Sequence, residues 1–406
     1  MSKVKAGAGW AVFRIRDYAL YFASRFLSGL AFQMNDVAVG WLVYERTGSA
    51  LALGLVGLSG FMPSILLALV VGQVADRVDR RIILIVSYGL VALTSSLLIL
   101  VARHPAEGVL PIYGLVLLMG VARAFSNPAS QAIVPTLVPR ELFASAVAIN
   151  SSSWQTATII GPAVGGFAYA LGAPFVFTLT TCLFVATVAA LVLMHARVRP
   201  PPSRTDWATL TAGFRFIAGR PLIFGSISLD LFAVLLGGAT ALLPIYARDI
   251  LQTGPMGLGL LRAMPALGAF TTSMILAQVP FNQRVGRRMF TAVALFGIAT
   301  IVFGLSRSFW ITVPALVILG ASDMVSVYVR QTLVQIETPD AMRGRVSAVN
   351  TLFIGASNQL GEFESGAVAS LIGPVGSVVV GGLGTLVVVG LWMWFFPVLR
   401  ERDRLV

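Results

Sequence analysis

Nine ionisable side chains stand inside apolar runs long enough to cross a bilayer. Five are carboxylates, Asp36, Asp230, Asp323, Glu362 and Glu364, and four are guanidinium groups, Arg25, Arg123, Arg262 and Arg330. A charge in hydrocarbon is costly unless it meets water or a partner, so each is a candidate for function. The chemistry open to such a set is proton uptake and release, ion pairing and the binding of a polar solute. A carboxylate poised between desolvation and a neighbouring cation can exchange a proton. Asp36, about 19 residues into its run, ranks first for that role, then Glu362, then Asp323, with Arg123 as the cation that tunes or binds. Arg123 and Asp323 both fall midway through their runs and are expected to face one another. Asp323 and Arg330, seven residues apart on one helix face, fit an ion pair with a neighbouring span equally well. Arg25 and Asp230 lie nearer the cytoplasmic third, where gating competes with binding. Glu364 points about 200° away from Glu362 on a helix, so the two cannot line one cavity. Phe32, Trp41, Trp154, Phe232 and Phe353 can line an apolar pocket or pack.

What is missing narrows the chemistry. One cysteine, Cys182, and two histidines, His104 and His195, leave no disulfide and no ligand cluster for a metal. No nucleophile stands with a base, and no Gly-rich nucleotide loop follows a strand. The expectation is a protein that is not an enzyme, carries no cofactor and has tails too short for a receptor's signalling domain.

The elements that must position these groups are membrane helices. Of 406 residues, 57% are hydrophobic and 11% charged, with a mean hydropathy of +0.87, against roughly 45–50% and about 25% in soluble folds. Twelve segments have the ~20 mainly apolar residues a span requires: about 18–44, 50–75, 82–102, 109–136, 142–170, 174–194, 221–247, 255–280, 289–306, 309–335, 343–371 and 374–398. The basic start before the first span is similar to a signal sequence, but Asp36 interrupts the apolar run and no small-residue cleavage site follows, so it reads as a retained helix. Residues 1–194 form an N-terminal six-helix bundle and 221–406 a C-terminal one. The linker 195–220 carries Arg197, Arg199, Pro200, Pro201, Pro202 and Arg204, followed by a possible amphipathic surface helix.

The net charge of +12 becomes a topology once it is sorted. With both termini cytoplasmic, 21 of the 29 basic residues fall in inside loops and tails and four in outside loops, which the positive-inside rule requires. Insertion and contact with anionic membrane lipids account for the basic pI of 10.8, leaving no call for nucleic acid.

The halves also repeat. A shift of 200 residues aligns ten identities over about fifty positions of spans 4–5 and 10–11, among them Pro139 with Pro339, Asn150 with Asn350 and Gly166 with Gly366. Parallel repeats of six helices point to a transporter with its site between them.

Gly72-Gln73-Val74-Ala75-Asp76-Arg77-Val78-Asp79-Arg80-Arg81 resembles the G-x-x-x-D-R-x-G-R-R/K loop of the major facilitator superfamily, with Asp79 where a glycine is usual. Gly161-Pro162-Ala163-Val164-Gly165-Gly166 resembles the superfamily's antiporter element, and Glu45-Arg46-Thr47-Gly48-Ser49-Ala50 with Asn127-Pro128-Ala129 is similar to the siderophore and macrolide exporter branch. The resemblance implies an all-α membrane protein of twelve helices in two pseudo-symmetric bundles. It further implies a monomer in the bacterial inner membrane that exports a small amphipathic molecule by proton antiport, with the proton gradient as its energy source. A uniporter or a lipid or lysolipid carrier of the same fold is the alternative. Arg123, Asp230, Phe32, Trp154 and Phe353 are the expected cavity residues. Gly72, Asp76, Arg77, Arg80 and Asp340 form the expected cytoplasmic gate, with Arg77 and Arg80 bridging to Glu337 or Asp340. Gly161, Pro162, Gly165 and Gly166 are expected to pack and bend span 5.

The topology is directly testable. In a Cys182→Ala background, a membrane-impermeant maleimide added outside cells should label Glu107→Cys and leave Glu141→Cys unlabelled; equal labelling of the two would overturn the orientation.

Overall fold

The computed structural model describes residues 9–104, 106, 108–196, 207–279 and 283–404. They form helices α1 (Arg16–Thr47), α2 (Ala50–Leu66), α3 (Ala68–Arg77), α4 (Arg80–Arg103), α5 (Leu110–Leu137), α6 (Arg140–Ala170), α7 (Ala173–Leu193), α8 (Trp207–Ala218), α9 (Pro221–Leu236), the single turn α10 (Leu243–Ile245), α11 (Gly254–Gln278), α12 (Val285–Leu305), α13 (Phe309–Glu337), α14 (Asp340–Phe395) and the short α15 (Pro397–Arg400). Helix is dictated by the solvent, because a backbone N–H or C=O in hydrocarbon must find its partner within its own segment.

Among the described residues nine helices are long and apolar enough to cross a membrane. The other sequence-derived spans lie on helices outside that count or are merged within it. Residues 50–75 are divided between α2 and α3, residues 142–170 lie on α6, and the last two spans run together in α14. Within α14 the backbone leaves the helix at Gly373 (φ 81°, ψ 161°), followed by Pro374. Only glycine takes that left-handed φ without strain, and proline cannot continue the preceding helix's hydrogen bonds. The segment 221–247 is likewise broken. α9 stops at Gly237, a 3-10 turn covers Ala239–Leu242, and a π-helical turn covers Tyr246–Ile250.

The internal repeat is visible in the backbone. α5 and α13 end one 200-residue shift apart, at Leu137 and Glu337, and α6 and α14 both start after a proline of the same conformation, Pro139 (φ −59°, ψ 155°) and Pro339 (φ −57°, ψ 148°).

The chain groups into two compact units, Met1–Arg46 with Ser59–Thr205, and Thr47–Leu58 with Asp206–Val406. The expected linker's Arg197 to Arg204 lies outside the described residues. In the first unit α4 packs on α5 and α7 and α3 packs on α5, while the buried hydroxyls of Tyr18 and Tyr21 donate to the carbonyls of Ala146 and Ser130. In the second, Leu229 and Ala233 of α9 meet Met289 and Val293 of α12, Val329 and Leu333 of α13 and Val388 of α14. The amphipathic helix expected after the linker is α8. It packs on α14, with Ile217 buried among Ile223, Val346 and Val349.

α11 and α13 cross closely at two glycines. A Cβ on Gly320 would run into the carbonyl of Pro265, and one on Gly268 into that of Val317. Gly320→Val should therefore lower stability by about 1–3 kcal/mol or block folding. Gly89→Ala, which meets no atom within 4 Å, should be neutral or gain up to about 1 kcal/mol. Melting temperatures in detergent check both.

Candidate functional site

Each unit holds its own polar cluster. In the first, α1 carries Arg25, Phe32 and Asp36 on one face, since spacings of four, seven and eleven residues return to the same side of a helix. α5 supplies the partners. Arg123 Nη2 donates to Asp36 Oδ1 at 2.6 Å, with each side chain 33% exposed. The same guanidinium lies 4.4 Å from the Phe32 ring centroid, and Phe32 is held edge-on by Phe184 of α7 at 5.0 Å. Arg25 donates to Ser130 Oγ at 3.1 Å and lies 4.8 Å from the Trp154 ring of α6. The result is a half-buried charge pair with an aromatic floor.

In the second unit the ions are buried. Arg330, 2% exposed, lies 3.2 Å from Asp230 Oδ2 and donates to Asn350 Oδ1 at 3.1 Å. Ser326 Oγ donates to Asp230 Oδ1 at 3.3 Å. Asp323, one turn before Ser326, lies within Coulombic range of both Asp230 and Arg330. Arg330 thus takes Asp230 of α9 as its ion-pair partner. The two clusters echo one another through the repeat: positions 130 and 330 correspond, and they tie α5 to α1 through Arg25–Ser130 and α13 to α9 through Asp230–Arg330.

Arg123 pairs with Asp36, and Asp323 stands beside Asp230. Glu362 lies on α14 next to Gly57, whose added Cβ would approach Glu362 Oε2 to 2.8 Å. Phe353 stacks with Phe214 of α8, centroids 6.4 Å apart, and so helps dock that helix. Gly161 and Gly165 of α6 face α1, where a Cβ would meet Gln33 Cβ at 2.6 Å and Met34 Cα at 2.8 Å, with Pro162 buried between them.

The expected gate is a helix–turn–helix. Gly72 to Arg77 end α3, Val78 is extended, and Asp79 caps α4 by accepting from the Arg81 N–H at 2.9 Å. This N-cap role explains an aspartate where the motif has glycine. Arg80 donates to the Ala132 carbonyl at 2.6 Å, and Arg81 to those of Leu191 and Val192, both at 2.7 Å, at the end of α7. Glu337 takes Arg402 at 3.0 Å and Asp340 takes Arg343 at 2.8 Å. Both carboxylates thus pair with cations of their own unit. The Asp76 side chain lies outside what the structure describes.

Sequence reasoning missed the neutral partners. Asn35 is the main one: its amide donates to Ser95 Oγ at 2.8 Å and accepts from Thr180 Oγ1 at 2.8 Å, tying α1 to α4 and α7. Asn350 was visible only as a repeat identity with Asn150.

Because Asp230 and Arg330 are enclosed, breaking that pair should cost about 3–5 kcal/mol, whereas replacing both with apolar residues of similar volume should cost far less. A thermal-unfolding comparison of Arg330→Met, Asp230→Leu and the double variant tests this; additive losses would refute it.

Comparison with known proteins follows the same lines. The family model described as Transmembrane secretion effector, MFS_3, matches residues 7–404. The chain is 30% identical over 374 residues to the enterobactin exporter EntS of Citrobacter koseri, covering 91% of this chain and 89% of that protein. It is 29% identical over 371 residues to EntS of Escherichia coli O1:K1, covering 90% and 88%. A POT family transporter solved with 5-aminolevulinic acid superposes with a TM-score of 0.75 at 14% identity, over 95% of this chain and 96% of that one. A bacterial homologue of the iron transporter ferroportin does so with 0.72 at 15%, over 95% and 99%. These last two share the fold, and all four are transporters. The chain is a multi-pass membrane protein and belongs to the transmembrane secretion effector family of major facilitator superfamily exporters.

Proposed function

We propose that the protein exports a siderophore-like or similarly small amphipathic compound across the bacterial inner membrane, both termini cytoplasmic, by proton antiport with alternating access. The observation that carries the reading is the likeness, over nine-tenths of the chain, to proteins named as enterobactin exporters. The Asp36–Arg123 pair over Phe32 supports it chemically. An ionised Asp36 accepts hydrogen bonds from the hydroxyls of a bound solute while Phe32 covers an apolar ring. A proton arriving from outside removes that acceptor and releases Arg123, so proton and solute compete for one site, as exchange requires. Glu362 is the second proposed proton carrier and Asp323 the third. The transmembrane potential contributes about 2.3 kcal/mol per charge per 100 mV. The working unit is taken to be a monomer that binds solute, protons and lipid and needs no cofactor, with its two halves rocking about a midplane site.

Proteoliposomes with an internal pH dye test this, using enterobactin, a second catecholate siderophore and a macrolide as probes. Addition of a transported probe should drive proton movement, and Asp36→Asn with Glu362→Gln should cut it by about tenfold or more. No probe-dependent proton flux, or full flux in the double variant, would sink the proposal; probe uptake without proton flux would leave the uniporter.

A further inference from the structure

The second unit holds a small, partly open cavity where α9 meets α12 and α13. Its volume is about 10 Å³, and it is lined on its polar side by Asp230, Asp323, Ser322 and Ser326 and on its apolar side by Ala233 and Phe296 among others. A space of that size holds one water-sized occupant. We propose that these four polar residues form a binding site for one monovalent inorganic cation of Na⁺ size.

Charge is the first ground. Asp230 and Asp323 bring two negative charges, and Arg330, the cation within Coulombic range of both, pairs with Asp230 and Asn350. With both carboxylates ionised the cluster carries one uncompensated negative charge among apolar helices, which a single bound cation removes. Ser322 is the second and independent ground. It is 3% exposed, its Oγ is fully buried without a hydrogen-bond partner, and it lines the same cavity. A hydroxyl oxygen left unsatisfied there costs stability unless an occupant of the cavity uses it. A proton on Asp323 would cancel the charge, but it would fill neither the cavity nor the need of Ser322. The donor set is all oxygen, which suits a hard cation, and it needs none of the His and Cys clusters on which transition metals depend.

The test is binding rather than transport, so its outcome does not depend on proton-coupled export. Purified full-length protein in detergent is melted in NaCl, LiCl, KCl or choline chloride at constant ionic strength, and ²²Na⁺ binding is counted. Na⁺ should raise the melting temperature saturably, K⁺ and choline should not, and one ²²Na⁺ should bind per chain. Ser322→Ala should weaken the apparent Na⁺ affinity about tenfold, the worth of one charge-assisted contact. It should leave the melting temperature in choline unchanged, because that hydroxyl has no protein partner to lose. Asp323→Asn should abolish the Na⁺ response. Identical melting in Na⁺ and choline, an equal effect of K⁺, or a saturable response that survives both substitutions would overturn the site. Proteoliposome proton flux that persists after such a result would leave the proposed export standing.

Discussion

An ionised side chain among apolar helices must find a counter-charge, a hydrogen-bonding partner or water, because hydrocarbon solvates neither carboxylate nor guanidinium. That constraint organises both units. Arg330 and Asp230, enclosed on all sides, are joined to each other and to Asn350 and Ser326. Arg123 and Asp36, a third exposed, are joined at a charge-assisted distance over an aromatic ring. Arg25 uses a serine and a tryptophan face. Even the neutral Asn35 is matched on both its donor and its acceptor side. Helix positions follow from these matches as much as from apolar packing, since one polar link fixes the rotation of two helices at once.

The same constraint explains how a repeated scaffold yields two unlike halves. α5 and α13 end at corresponding residues, and α6 and α14 begin with the same proline conformation. The scaffold is therefore held in common while the charges laid on it differ. Corresponding positions carry serine in one half and arginine in the other, and glycine–proline in one becomes glycine–glutamate in the other. One half keeps its ion pair partly open and the other closes its pair away.

Loop motifs gain a physical reading as well. Asp79 departs from the superfamily pattern because it caps a helix, and Arg81 donates to two carbonyls in the last turn of α7, where helical carbonyls run out of intrahelical partners. In the last turn of α1, Arg46 donates to the carbonyls of Val101 and Gly108, and Ser49 Oγ accepts from the Ala52 N–H at the start of α2. The phrase Glu45 to Ala50 thus covers the last turn of α1, the two-residue break at Gly48 and Ser49, and the first residue of α2.

Much was legible in the linear chain. Apolar runs of span length specify membrane helices because backbone hydrogen bonds must be local there, and glycine and proline mark the breaks, Gly373-Pro374 above all. The superfamily loop motifs and the 200-residue repeat led to the fold and family that the comparisons establish. The rotation of each helix and the partner of each buried charge were not legible. Hydropathy reports how apolar a span is and says little about which face it turns inward, and partners such as Asp230 and Arg330 are a hundred residues apart in the chain. Only tertiary packing decides that Arg123 meets Asp36, that Arg330 meets Asp230, and that Ser322 faces a cavity between two carboxylates, because such choices depend on which helices are neighbours and at what angle they meet.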